Sequence, residues 1–143
     1  MKLDYAFLAT AADQTPDGRL WIAGADFEAL GATAVPVHAQ FVLIAKIAFE
    51  PDEAVDHVLS LSVTGSTGET NILTEAIKNV VLAGDKSNTR FAKTIVTLSM
   101  TFENFGRYLF HLGVDGREIT AVPLDIRQLN LEPVDGSAPI ETN

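Results

Sequence analysis

The sequence predicts an all-β fold, an antiparallel β-sandwich of about eight strands, immunoglobulin-like or jelly-roll-like in type. Three observations carry this. Turn signals recur along the chain with short apolar runs between them: "DQTPDGR" at 13–19, "FEPDEAVD" at 49–56, "TGSTGET" at 64–70, "AGDKSN" at 83–88 and "ENFG" at 103–106. That rhythm is what a sandwich or barrel of antiparallel strands produces. Period-two alternation of apolar and polar residues appears in several of those runs, and an Asp-Gly dipeptide at 115–116 sits between two of them.

The strands follow in order. Residues 3–12 and 19–25 read as two strands around "DQTPDG", although their alanine content lowers intrinsic strand preference. In "HVLSLSVT", His57, Leu59, Leu61 and Val63 share one side, and Ser60, Ser62 and Thr64 the other, the pattern of a sheet with one wet face. "KTIVTLSMTF" places Val96, Leu98, Met100 and Phe102 inward against Thr97, Ser99 and Thr101. Residues 70–84, "TNILTEAIKNVVLAG", carry apolar residues at helical spacing and Gly84 as a helix stop, yet are rich in β-branched residues. Strand neighbours on both sides favour a strand there.

The last hairpin is the most legible element. Tyr108, Phe110, Leu112 and Val114 share a face, with Leu109, His111 and Gly113 opposite, and Asp115-Gly116 supplies a type I′ turn. Counting back from that turn pairs Leu112 with Ile119, His111 with Thr120 and Phe110 with Ala121, so His111 points away from the core. Beyond it Val122, Leu124 and Ile126 fall out of phase, which a bulge near Pro123 or an edge position would repair.

With 143 residues the chain has the size of one domain. The expectation is a single unit over residues 1–132, with 133–143 a loosely ordered tail carrying proline and small polar residues. Hydrophobic residues make up 47%, with mean hydropathy +0.18, ample for a core and with surplus for a subunit interface. Nineteen acidic residues against ten basic ones give a net charge of −9, which sets nucleic acid and anionic membranes aside as partners. Cysteine is absent, so disulfides, thiol catalysis and thiolate metal sites are excluded, and cytoplasm is the expected location. The most apolar run, "FVLIAKIAF" at 41–49, is far short of the ~20 residues of a membrane helix, and the N-terminus lacks a signal-peptide core.

Two stretches, "LDYAFLATAADQTPDGRLWIAGADFEAL" and "GRYLFHLGVDGREITAVPLDI", together resemble a family of short, uncharacterised bacterial proteins. The shared features are a strand-turn-strand with Gly24 after it and a closing hairpin built on Gly106, Tyr108, Phe110, Leu112, Val114, Asp115 and Gly116. The resemblance implies a β-sandwich and brings no activity.

No motif for catalysis matches. "AGDKSN" has Asp85 where a phosphate-binding loop needs glycine, and "TGSTG" lacks the first glycine of a nucleophile elbow. No catalytic residue and no cofactor is therefore expected. His38, His57 and His111 form no ligand pair, and Trp21, Tyr5 and Tyr108, which would have to stack on a sugar, read as core residues. The acidic loops offer weak calcium candidates, Asp13 and Asp17 at one turn and Asp52, Glu53 and Asp56 at another, although without the ligand spacing of a dedicated loop. Two functions remain: a non-enzymatic interaction domain that self-associates as a dimer or takes a protein partner, or a small-ligand or calcium-binding protein, an enzyme being one form of it, with a site in the loops at one end of the sandwich.

Overall fold

The computed structural model describes residues 1–73, 76–85 and 87–130. The expected tail at 133–143 lies outside these residues. Ten strands are present among them: β1 (Lys2–Gln14), β2 (Leu20–Ala25), β3 (Ala29–Ala32), β4 (Val37–Phe49), β5 (Asp56–Thr64), β6 (Thr70–Ile72), β7 (Lys78–Val81), β8 (Arg90–Phe102), β9 (Gly106–Val114) and β10 (Arg117–Gln128). They form two sheets, one in the order β2-β1-β4-β8 and the other β3-β10-β9-β5, with β6 and β7 both pairing on the far side of β5. With β1, β4 and β8 in one sheet and β5, β9 and β10 in the other, the order is that of the immunoglobulin-like sandwich rather than the jelly roll. Every pairing is antiparallel except β3 with β10, which is parallel. No helix among the described residues is long and apolar enough to cross a membrane.

The count exceeds eight for two local reasons. Residues 29–32 are Ala and Gly apart from Leu30, with no readable period, and form β3 by pairing with β10, Leu30 packing against the core. In the ambiguous stretch, Thr70–Ile72 and Lys78–Val81 take strand, as two short pieces: the Ala76 N–H turns back to the Leu73 carbonyl at 2.9 Å, and Ala76 and Leu82 are drawn into the core.

Alternation delivers the core as expected. Leu59, Leu61 and Val63 from β5, Val96, Leu98 and Phe102 from β8, and Tyr108, Phe110, Leu112 and Val114 from β9 are all buried, with Met100 partly so. Their centre is aromatic. The Phe41 ring meets Phe110 edge-on at 5.7 Å, and Phe102 meets Tyr108 at 4.8 Å. The Tyr108 hydroxyl donates to the Asn104 carbonyl at 2.8 Å and accepts from the Asn104 N–H at 3.2 Å, tying the β8–β9 connection to the start of β9 in the manner of an immunoglobulin tyrosine corner.

The turn at 115–116 is of the expected kind, with φ of 53° at Asp115 and 82° at Gly116. The register beyond it differs. The β-bulge falls between Glu118 and Thr120, beside the turn, and not near Pro123. Ile119 is the extra residue, so Leu112 faces Thr120, His111 faces Ala121 and Phe110 faces Val122. The shift puts Val122, Leu124 and Ile126 into the core. Pro123 then needs no bulge, because β3 joins β10 only from Asp125 onward and leaves one side of the strand without a ladder at Pro123.

Strand β4 is buried on both faces. Phe41, Leu43, Ala45, Ile47 and Phe49 enter the main core, while Val42 and Ile44 point the other way and are also covered. The cover is the chain's own β1–β2 hairpin. β1 pairs with β4 only as far as Ala9, opposite Val42; beyond it β1 pairs with β2 alone. Ala12, Leu20 and Ile22 of this hairpin pack on Val42 and Ile44, and its tip is held by Lys93 Nζ donating to the Gly18 carbonyl at 2.9 Å. Gly24 permits the hairpin's close packing: its φ is 62°, and a Cβ there would lie 2.3 Å from the Thr10 hydroxyl oxygen.

Truncating the central ring should show how much rests on this core. Phe110→Ala is expected to lower the unfolding free energy by about 3–5 kcal/mol in urea denaturation, whereas an exposed substitution such as Trp21→Ala should stay within about 0.5 kcal/mol.

Candidate functional site

Three places gather polar or apolar groups beyond what the fold needs. The first is the outer face of the second sheet. Ser60, Ser62 and Thr64 from β5 and His111 and Gly113 from β9 lie on it, because their neighbours face the core. His111, 22% exposed, has Nε2 2.7 Å from the Thr64 hydroxyl and Nδ1 2.8 Å from the Glu118 carboxylate. A ring protonated on Nδ1 satisfies both contacts, donating to the carboxylate and accepting from the hydroxyl. The order hydroxyl, imidazole, carboxylate is that of a hydrolase triad. What that chemistry also requires is free N–H groups aimed at a developing oxyanion. Here the backbone of Ser62 to Thr64 is engaged in ladders to both β6 and β9, and the Gly65 N–H bonds to the Glu69 carbonyl at 2.7 Å. The chain of contacts acts as a tie across three strands.

The same face carries exposed aliphatic side chains at its β6–β7 edge. Val58 is 41% exposed, Ile72 69% and Val81 71%. Ile72 stands opposite Ser62 and Val81 diagonal to Val58, so all three project on the His111 side of the sheet.

The second place is the loop end where β4 turns into β5. His57 is buried, in phase with Leu59, and stacks on Phe49 with ring centroids 4.2 Å apart. Its Nδ1 lies 2.7 Å from the Asp115 carboxylate and its Nε2 2.7 Å from the Ala54 carbonyl, so a ring donating from both nitrogens meets two acceptors. Asp115 also accepts from the Val58 N–H at 2.9 Å. The turn residue of the last hairpin is thus a clamp on β5. The His57 hydrogen bond first, and then the Val58 N–H, hold the Asp115 carboxyl below the usual carboxylate range. Close by, the Arg90 side chain is 5% exposed; its Nη2 donates to the Glu53 carbonyl at 3.2 Å, and its Nε and Nη1 are buried without an acceptor.

The third is a cleft of about 500 Å³ where the β1–β2 hairpin leads into β3, lined by Thr10, Asp26, Phe27, Leu30, Gln40 and Phe41. Asp26 is held at a φ of 59°, and the N–H groups of Asp26 and Phe27 both bond to the Leu8 carbonyl, at 2.7 and 3.3 Å. The Phe27 ring meets Phe41 edge-on at 5.9 Å. Volume and lining are in the range of small-molecule sites.

The calcium candidates are not brought together. Asp13 accepts from the Gln14 N–H at 2.8 Å, and Asp17 accepts from the Thr15 hydroxyl and from Arg19 Nε at 2.8 Å, within the β1–β2 turn. Glu53 receives the N-terminal ammonium at 2.6 Å and the Glu50 N–H at 2.8 Å, in a different loop from Asp13 and Asp17. Asp52 is exposed at a φ of 75°, and Asp56 is exposed at the start of β5. Among the described residues, no group of three or more His, Asp or Glu is arranged to hold a metal. The histidines lie on three surfaces: His38 between Thr101 and Ser99 on the first sheet, His57 inside the second and His111 outside it. Of the aromatic candidates, Tyr108 is core as expected; Trp21 is instead 58% exposed, because Leu20 and Ile22 take the inward side of β2.

The chain matches a family described as of unknown function (DUF6941) over residues 4–127. No curated protein matches it. Among solved structures, it is similar to the Pseudomonas fluorescens alkylpurine DNA glycosylase AlkC bound to DNA containing an abasic site analogue, at 11% identity and a TM-score of 0.48. The similarity covers 88% of this chain but only 30% of that one.

The Asp115 clamp has a signed pH dependence. A carboxyl whose pKa is depressed by folding contributes stability above the ordinary carboxylate pKa of about 4 and loses it as pH falls through the lower folded value. Asp115→Asn should therefore melt below the parent at neutral pH, and the gap should narrow as the pH falls below about 4. Melting curves over that range check it; a constant gap would show that the carboxylate's charge plays no part.

Proposed function

We propose that this chain, which belongs to that family of unknown function, is a non-enzymatic interaction module that self-associates as a dimer through the outer face of its second sheet. The observation that carries the reading is the contrast between the two outer faces. The first sheet's Val42 and Ile44 are covered by the chain's own hairpin, while Val58, Ile72 and Val81 on the second are exposed. Between them and β10 lie small side chains, Ser60, Ser62, Gly113 and Ala121, which leave the surface flat. A face-to-face contact suits a flat surface, and one patch meeting its own copy generates a closed two-fold dimer.

Charge constrains the same face. Two copies each carrying −9 repel, so a self-contact must keep carboxylates paired or apart. On this face Glu118 is hydrogen-bonded to the His111 ring and Asp125 is paired with Arg107 and Arg127, which leaves Asp56, opposite Val81, as the carboxylate the contact must accommodate. The His111 chain is read as a cross-strand tie, since the backbone beside Thr64 offers no oxyanion site. A cysteine-free chain of this kind fits the cytoplasm.

The cleft beside Asp26 favours a second reading, a small, largely apolar ligand held between Phe27 and Phe41 with Thr10, Asp26 and Gln40 as its polar contacts.

Light scattering coupled to size exclusion tests the first reading. The parent chain should run as a dimer at high micromolar concentration, and Val81→Glu should run as a monomer with its melting temperature nearly unchanged, since the residue is exposed. A parent that stays monomeric at every concentration would remove the reading.

A further inference from the structure

Arg90 is the group that the fold leaves least accounted for. β8 begins with it, and the strand's alternation carries it inward with Ala92, Thr94 and Val96. A guanidinium presents five N–H donors in a planar fork and stays charged in proteins. Only Nη2 has an acceptor among the described residues, the Glu53 carbonyl at 3.2 Å, while Nε and Nη1 are buried and unpaired. Nε–H and Nη1 lie on different edges of the guanidinium, each beside one of the two N–H groups of Nη2, and no carboxylate among the described residues takes either of them. Glu53 turns its carboxylate to the N-terminal ammonium, and Asp115 turns its own to His57 and Val58. Asp85 is near enough for the Arg90 charge to lower its pKa, yet the Ser87 N–H is the larger cause and the group to which it is bonded.

A buried charge without a counter-charge and with open donors is costly, and its removal from water is offset when an anion accepts those hydrogen bonds. We infer that Arg90 anchors an internal binding site for a small oxyanion, carboxylate or phosphoryl, at the end of the sandwich where the β4–β5 and β7–β8 loops meet. An oxyanion is the ligand class that matches the open edge, because its oxygens accept two parallel N–H bonds there, one from a free nitrogen and one from the Nη2 N–H that the Glu53 carbonyl leaves unused. The covering loops belong to the exposed surface: Asp52, Ala54, Ala83, Gly84 and Asp85 are exposed, and Asp52 and Gly84 have φ of 75° and 105°. The inference does not rest on the proposed dimer, although Val81 leads into the β7–β8 loop; the Arg90 variants test the site and Val81→Glu the dimer.

The test uses the full chain and three titrants: sodium phosphate, sodium acetate and, as an ionic-strength control, sodium chloride. Thermal melts are recorded for the parent, for Arg90→Lys, which keeps a charge and loses the fork, and for Arg90→Met. Phosphate or acetate should raise the parent's Tm saturably, by about 3–6 °C at ten times the Kd, with chloride giving no saturable rise. The rise should vanish in both variants. Should either variant fail to fold, the parent's Arg90 Nε–H resonance serves instead and should shift in the same titration with the same midpoint. A response to acetate alone assigns a carboxylate ligand, and one to phosphate alone a phosphoryl ligand. Equal rises in parent and Arg90→Lys, or an unmoved Nε–H resonance, would overturn the site.

Discussion

Everything in this fold depends on the need to cover β4 twice. Its run from Phe41 to Phe49 is apolar on both faces but for Lys46, so one sheet on one side is not enough. The second sheet takes Phe41, Leu43, Ile47 and Phe49, and the β1–β2 hairpin takes Val42 and Ile44. Burying a side chain of that size contributes roughly 1.5–3 kcal/mol, so leaving the outer pair wet would forfeit a sizeable part of a small domain's net stability. Lys46, the exception, lies over the Phe91 ring at 4.4 Å and near Asp4 at 3.8 Å.

Covering one outer face also settles where the molecule is left open. β8 ends its sheet with a free edge thirteen residues long, a hazard for strand-to-strand association. Lys78, facing inward from β7, donates to the Ile95 carbonyl at 2.6 Å and so occupies that edge near its middle. An inward lysine at an edge is a known guard against such pairing. With Val42 and Ile44 covered and the long edge occupied at Ile95, the large apolar side chains that stay exposed in the two sheets are Val58, Ile72 and Val81 on the second and Trp21 and Phe91 on the first.

Much of the architecture was legible because a half-buried strand writes its orientation into alternate residues. His57 and His111 illustrate this: each was assigned its face by its phase with Leu59 or Phe110, and each lies there. Asp115-Gly116 announced its turn through the positive φ that only a few residues tolerate. The bulge at Ile119 was not legible, since Ile119, Thr120 and Ala121 continue either register equally well until side chains compete for the core. β3 carries no period, because Ala and Gly bury too little to leave one. The candidate sites were harder still. Arg90 was within reach, as extending the β8 alternation back from Val96 puts it inside, but the cleft and the Asp115 clamp bring together residues from distant segments that no local pattern connects. The acidic loops were read as metal candidates because their types fit, whereas the fold gives Asp13, Asp17 and Glu53 partners of their own.

The central claim is that the chain's own hairpin covers Val42 and Ile44 on one outer face, while the proposed dimer covers Val58, Ile72 and Val81 on the other. Methyl NMR over a concentration series tests it most directly, because it reads both faces in one experiment. The account predicts that the methyl signals of Val58, Ile72 and Val81 shift with concentration while those of Val42 and Ile44 stay fixed. Shifts at Val42 and Ile44, or none at the second face up to the solubility limit, would contradict it.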